Sequence, residues 1–398
     1  MKYLILGAGP SGLTFACRLL KNGCDDFLII DKEDEAGGLC RSKDVDGSPL
    51  DIGGGHFLDV KRQDVLDFLF SYMNEDEWDI FDRDSRIEVN GNIINSPIEA
   101  NIWQMKLKDQ VEYLKAIAIA GCNLDTPMPE RFVEWIYWKL GKKIAEDYMI
   151  PYNQKMFGKN LDELGTYWLN KLPNVSFEET LISCLERKAY GSQPAHARFY
   201  YPKKYGYGEI WKRMGESLKD RLILNTEIKE LDLDKREVNG IYSADRIVTT
   251  IPWDSIGRIS GLSEENLKAI GKLKHTSIVI EYINENMDTK AHWIYYPDPE
   301  LTYHRKLIRH NFCRGSKGYW TETNRDRFDD KAEDERQYFI NEYAYPLNTI
   351  GKEEIMEKIL KEASSKEVYG LGRWGEWQHY NSDLVVKLSL DLADRLEG

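Results

Sequence analysis

Apolar residues along the chain fall into strand-length and helix-length patterns. Lys2-Tyr3-Leu4-Ile5-Leu6 is a strand-length run that breaks at Gly7-Ala8-Gly9-Pro10-Ser11-Gly12. Leu13, Ala16, Cys17 and Leu20 then share one face at helical spacing, and Phe27-Leu28-Ile29-Ile30 is a second strand ending at Asp31. Strand, glycine turn, helix and strand predict a βαβ unit. Residues 43–58 predict a hairpin ending in the loop Gly53-Gly54-Gly55-His56. Residues 64–73 predict a helix, and 87–94 a second hairpin in which Asn90-Gly91 supplies positive φ before Pro97 ends it.

From 104 to 190 the spacing is mainly helical, carried by Leu107, Val111, Leu114, Ile117 and Ile119 and then by Phe132, Trp135, Ile136 and Leu140. Segment 197–211 predicts a glycine loop opening a helix, and 222–228 and 246–252 predict strands. Segments 277–282, 293–296 and 306–312 alternate apolar and polar residues as sheet strands do. A helix near 352–363, a strand over 367–372 and a final helix from Ser382, with Leu384, Leu388, Leu392 and Leu396 as its stripe and Ser382 as N-cap, close the chain. The pattern predicts an α/β fold with discontinuous domains. A Rossmann-like dinucleotide-binding domain takes 1–95, 191–262 and 351–398; an inserted helical domain takes 96–190; a substrate domain with an antiparallel sheet takes 263–350.

The glycine turn reads G-x-G-x-x-G, with Asp31 19 positions after the last glycine. Gly7 allows the tight turn, Gly9 lets the backbone approach a pyrophosphate at a helix N-terminus, and Gly12 lets helix and sheet pack closely. Asp31 can accept hydrogen bonds from ribose hydroxyls. A net charge of −13 argues against a nucleic-acid surface. The six cysteines lack metal spacing and read as structural thiols of a reducing compartment. The short first run reads as no signal peptide, and no stretch has the length of a membrane span, so the expected location is cytoplasmic.

Asp31 is followed by five residues, Lys32 to Ala36, then by Gly37-Gly38 and Arg41. This resembles the extended fingerprint of FAD enzymes in the amine oxidase, protoporphyrinogen oxidase and UDP-galactopyranose mutase superfamily, and it implies FAD rather than NAD as the resident cofactor. The residues so implied in the cradle are Gly7, Gly9, Pro10, Ser11, Gly12, Asp31, Lys32, Gly37, Gly38, Leu39 and Arg41. His56 by spacing alone reads as a buried loop histidine; the resemblance sets Gly54, Gly55 and His56 against the isoalloxazine.

Most of the chain, in order, is similar to the UDP-galactopyranose mutases, particularly the eukaryotic type. The motifs are the Gly-Gly-x-His loop, Pro151-Tyr152-Asn153, Gly206-Tyr-Gly208-Glu-Ile-Trp211, Thr250-x-Pro252, and Gly372-Arg373-Trp374-Gly375-x-Trp377 followed by Asn381-x-Asp383. The resemblance adds Ile228, Thr250, Gly372, Arg373, Asn381, Asp383 and Leu384 to the cofactor contacts, with a helix dipole aimed at reduced flavin. The implied reaction is redox-neutral. Reduced flavin N5 attacks the anomeric carbon of a nucleotide sugar, the diphosphate leaves, and the sugar recloses as a furanose. NAD(P)H is the implied external reductant.

Tyr295, Arg305 and Tyr345 match the segments that bind the diphosphate in that family, and with His56 and Arg373 they are the implied catalytic set. By pattern alone, Tyr295 reads as a strand tyrosine and Arg305 as a solvated arginine. Asn153 and His379 complete the implied substrate contacts. At three positions the chain departs from the family. Lys171 is the only cation near the second diphosphate-arginine position, His379 replaces a tyrosine, and Ser96-Pro97-Ile98-Glu99 replaces an aromatic base-binding segment. A Glu99 carboxylate accepts but does not donate, which suits an amino-bearing base and suggests a CDP- or GDP-sugar. The alternative function is an oxidoreductase of the amine oxidase or protoporphyrinogen oxidase type.

Overall fold

A computed structural model of the 398-residue chain describes residues 1–169, 176–190, 197–329 and 337–397. Strand Tyr3–Leu6, helix Pro10–Lys21 and strand Phe27–Ile30 form the βαβ unit that the apolar pattern predicts. They belong to a five-stranded parallel sheet ordered Leu222–Ile223, Phe27–Ile30, Tyr3–Leu6, Arg246–Thr249, Val368–Gly370. Tyr3, Leu4, Ile5 and Leu6 are fully buried, as a strand covered on both faces requires. The C-terminal helix Ser382–Glu397 lies along the first helix, where Arg18 Nε holds Asp394 at 2.6 Å and Tyr3 donates to Glu397 at 2.5 Å.

A seven-stranded sheet stands beside it, ordered Gln337–Pro346, His275–Ile283, Tyr319–Asn324, Arg305–Leu307, Trp293–Tyr295, Ser85–Val89, Asn92–Asn95. The hairpin 85–95 therefore joins this sheet, although the boundary at 95 assigns it to the dinucleotide-binding unit. Its link is a parallel pairing of Ser85–Val89 with Trp293–Tyr295. Ile87, Val89 and Ile94 also enter one apolar cluster with Tyr113, Ile117, Phe132 and Ile136 of the helices, so the hairpin fastens helices to sheet. The helices here are Leu107–Gly121, Phe132–Ile144, Ile150–Phe157 and Phe177–Glu186. Helix Leu107–Gly121 buries Tyr113, Ile117 and Ala120 and leaves Leu107, Val111 and Ile119 exposed.

Three elements differ from the pattern. The strand expected over 222–228 stops at Ile223, because Asn225 is left-handed at φ 53° and turns the chain out of the ladder. The strand expected over 306–312 stops at Leu307. Arg309 turns fully inward there and donates to the carbonyls of Val45, Ser48 and Lys317. The final helix takes Asn381 rather than Ser382 as its first carbonyl acceptor, from Val385 N–H at 3.0 Å, while the Ser382 hydroxyl is engaged by Tyr207 at 2.6 Å.

A Cβ on Gly12 would lie 2.0 Å from the Gly7 carbonyl oxygen, so only glycine lets the first helix start this close to the strand. Gly12→Ala is predicted to lower stability by ~1–3 kcal/mol, the usual size of an overpacking strain. Denaturant unfolding followed by circular dichroism checks it; an unchanged midpoint would contradict this packing.

Candidate functional site

A cavity of about 530 Å³ runs along the carboxyl ends of the parallel strands, where open α/β sheets place their ligands. One end is set by Asp31, which follows its strand directly. Its Oδ2 accepts from Ala8 N–H at 2.5 Å and its Oδ1 from Glu33 N–H at 2.9 Å, tying the glycine turn to the second strand. Burial pushes the Asp31 carboxyl up, and those two N–H groups oppose the shift. Each oxygen keeps a further lone pair for a ribose hydroxyl. Lys32 and Arg41 also line this end, and Arg41 pairs with Glu33 at 2.9 Å.

The middle is a backbone cradle. Gly9 caps the first helix without a side-chain hydrogen bond, and Pro10 has no N–H to give. The positive end of a 12-residue helix thus faces the cavity through Gly9, Pro10 and Ser11. Opposite, Gly38 sits at φ 53°, and a Cβ there would meet Gly9 Cα at 3.1 Å. Backbones brought this close fit a pyrophosphate between two ribose-binding ends.

The far end is polar and aromatic, lined by His56, Tyr343, Arg373, Trp374 and Tyr380. Arg373 is fixed by carbonyls: Nη1 donates to Ala344 at 3.1 Å, Nη2 to Tyr380 at 2.9 Å. His56 Nδ1 lies 2.9 Å from the Gly54 carbonyl. Burial, then the charge of Arg373, holds the imidazole down at about 3, so it is neutral at ordinary pH.

Beside this end, three side chains line up across the second sheet. Tyr295 pairs in register with Arg305, and Arg305 with Glu322. Arg305 Nε and Glu322 Oε2 form a close ion pair, and Arg305 Nη2 donates to the Tyr345 hydroxyl at 3.3 Å. Glu322 is fully buried; burial alone would raise its carboxyl, but Arg305 and His304 pull it down to about 2. Tyr152 packs edge-on against Tyr295 with ring centres 5.4 Å apart, and His379 lies 4.9 Å from Tyr345. The Arg373 guanidinium is 5.8 Å from the Tyr345 ring, and Gly55 N–H donates to Glu322 at 3.0 Å, so cluster and cavity adjoin. The structure thus brings His56, Tyr295, Arg305, Tyr345 and Arg373 to one place.

Other candidate residues lie outside this cluster. Asn153 is buried and donates to Met149 of its own helix at 2.7 Å. Asp383 is held by Arg62 at 2.9 Å, and Ser382 and Val385, rather than Asn381, Asp383 and Leu384, line the cavity. Gly12, Gly37 and Gly372 serve close packing; a Cβ on Gly372 would meet Ser11 Oγ at 1.9 Å. Ile228, Thr250 and Leu39 line the cavity wall. Glu99 is buried near Tyr148, away from the cavity, and Lys171 lies outside the described residues. Among the described residues no group of His, Cys, Asp and Glu could hold a metal ion, and no helix is long and apolar enough to cross a membrane.

Sequence reasoning missed Glu322, His304 and Arg83, and named Tyr152 only within a motif. Arg83 donates to the Tyr295 hydroxyl at 3.3 Å and lies 4.9 Å from the Trp293 ring. The available signal for Glu322 was a charged residue inside Tyr319–Asn324, a strand whose six residues are all buried.

Comparison with known proteins bears on the fold. A family model described as an NAD(P)-binding Rossmann-like domain matches residues 5–72. The structure of a reduced UDP-galactopyranose mutase superposes with a TM-score of 0.89 at 23% identity, covering 99% of this chain and 93% of that one. The fold is the one that mutase has. Cyclohexylamine oxidase from Brevibacterium oxydans superposes with a TM-score of 0.67 at 14% identity, covering 100% of this chain and 99% of that one. Among curated proteins, an uncharacterized protein in the nifH2 3' region of Methanothermococcus thermolithotrophicus is 49% identical over 53 residues, 13% of this chain. The match spans half the length of that relative.

Two predictions follow from the buried charges. Arg305→Ala strands the Glu322 carboxylate and is predicted to cost ~3–5 kcal/mol, the usual penalty for halving a buried pair. Urea unfolding checks it. His56 is held below its ordinary value, so the unfolded chain takes up that proton first and stability drains as pH falls from ~6.5 toward 3. Melting wild type and His56→Asn between pH 7 and 5 is predicted to show the wild type losing more on acidification.

Proposed function

We propose that the protein is an FAD-dependent enzyme that interconverts the pyranose and furanose forms of a nucleotide sugar. The observation that carries this reading is the placement of Arg305, Tyr345 and Tyr295 directly beside the His56–Arg373 end of a dinucleotide cavity. The cradle from Asp31 through Gly9 and Gly38 to His56 fits FAD, with Asp31 toward the ribose and the first helix toward the pyrophosphate. When bound and reduced, FAD supplies the nucleophilic N5 that such an isomerisation uses, and NAD(P)H is the reductant we assign to it.

The side chains supply the remainder. Tyr295 accepts from Trp293 Nε1 at 2.9 Å and from Arg83, which leaves its own O–H for an oxygen of the substrate. The Tyr345 hydroxyl accepts from Arg305 and likewise keeps its proton to donate. Two guanidiniums, Arg305 and Arg83, and two hydroxyls thus converge where a diphosphate gains negative charge as it leaves. Arg83 supplies a second guanidinium, whose fork suits a diphosphate better than a lysine ammonium does. Neutral His56, with Nδ1–H toward Gly54, presents Nε2 as a hydrogen-bond acceptor at the cavity's ring end.

Glu99 is assigned to the base. Burial holds its carboxyl at about 7, so its hydrogen-bonding changes across neutrality. The ionised form only accepts and suits an amino-bearing base such as cytosine; the protonated form also donates and suits uracil. The CDP-to-UDP affinity ratio is therefore predicted to rise as pH increases from 6 to 8, measured by flavin-absorbance titration. A ratio independent of pH removes Glu99 from base recognition.

The similarity of fold to an amine oxidase favours a second reading, a flavin oxidoreductase. One experiment separates the two. The dithionite-reduced holoprotein is incubated with UDP-, CDP- and GDP-hexopyranoses, and products are resolved by chromatography. Furanose formation without net electron use supports the mutase; oxygen consumption and flavin bleaching by amines, with no furanose, support the oxidase.

A further inference from the structure

Glu322 joins two parts of the site, the Arg305 cluster and the turn before His56. Its Oε2 holds the Arg305 guanidinium, with His304 Nε2 at 3.6 Å. Its Oε1 accepts from Gly55 N–H at 3.0 Å, in the turn that carries His56 into the cavity wall. The turn is pressed hard on this strand pair. A Cβ on Gly54, at φ 100°, would meet Glu322 Oε1 at 3.0 Å, and one on Gly55 would meet Leu307 Cδ2 at 2.1 Å. The carboxylate is fully buried, so water cannot replace either partner.

We propose that Glu322 is a positioning residue that couples anion binding at Arg305 to the Gly54–His56 turn, and through it to the preference of the site for oxidised or reduced flavin. The inference rests on the nucleotide-sugar reading above. An anion that draws on Arg305 weakens its claim on Oε2 and strengthens the hold of the carboxylate on Gly55. The turn sets His56 at the ring end, so a change in its hydrogen bonding differs in energy between the two redox states. Coupling is reciprocal: a nucleoside diphosphate that binds one redox state more tightly shifts the midpoint potential by the same free energy.

The test measures Kd for UDP, CDP and inorganic pyrophosphate with FAD-loaded protein, oxidised and dithionite-reduced. In the wild type the two states are expected to differ about tenfold for at least one probe, within the usual range of site–site coupling; that ratio equals ~30 mV in a two-electron midpoint. Glu322→Gln and Glu322→Asp are expected to keep FAD and reduce the ratio to within about twofold. A purely structural role would weaken both states in parallel and keep the ratio, which overturns the coupling. Equal wild-type affinities overturn it as well. No binding of any probe in either state overturns the nucleotide-sugar reading and the coupling with it. Should neither variant retain FAD, amide exchange of the wild-type Gly54–His56 turn decides: several-fold slowing on UDP or CDP binding supports the coupling, and no change overturns it.

Discussion

The pairing of Arg305 with Glu322 is the interaction on which the site's geometry depends. The Arg305 guanidinium sits in a largely dehydrated wall, and an isolated charge there costs several kcal/mol. Glu322 removes that cost while holding the guanidinium by Nε, which leaves Nη2 to Tyr345. The same carboxylate fixes the backbone of the turn before His56. One buried anion therefore sets both the direction of the cation and the floor of the ring end.

This arrangement explains why the chain is interwoven. Tyr295, Arg305 and Glu322 come from three adjacent strands whose register puts them side by side, and cross-strand neighbours on one face lie close enough for direct contact. Arg373 comes from the return of the chain to the parallel sheet, after the strand Val368–Gly370. The hairpin 85–95 closes the second sheet and brings Arg83 to Tyr295. Contacts of such sequence separation need both sheets to be complete, so the cofactor cradle forms from local structure and the reaction site from tertiary structure.

That division also governs what could be read from the sequence. The βαβ unit, the Asp31 position and the 43–58 hairpin were legible because glycine conformation and apolar period are local signals. Leu224 to Ile228 misled for the same reason: apolar residues stand at both ends of the segment, but a single left-handed Asn225 ends the strand. Glu322 was illegible because its meaning lies in the register opposite Arg305, and Arg83 because it sits in a connection with no pattern of its own. Asn153 shows the converse: a motif residue whose amide the structure spends inside its own helix.

The shared fold adds a last constraint. One architecture, with one cradle for a dinucleotide, superposes on a sugar mutase and on an amine oxidase. The cradle is built mostly from backbone groups, which fix where a cofactor lies and say little about what meets it. What distinguishes the reactions must then reside in the side chains facing the ring end. In this protein those are Arg83, Arg305 and Arg373, the Tyr295 and Tyr345 hydroxyls, a neutral histidine and the Glu322 carboxylate. Three guanidiniums against one carboxylate leave the set net positive, which favours an anionic ligand over a protonated amine.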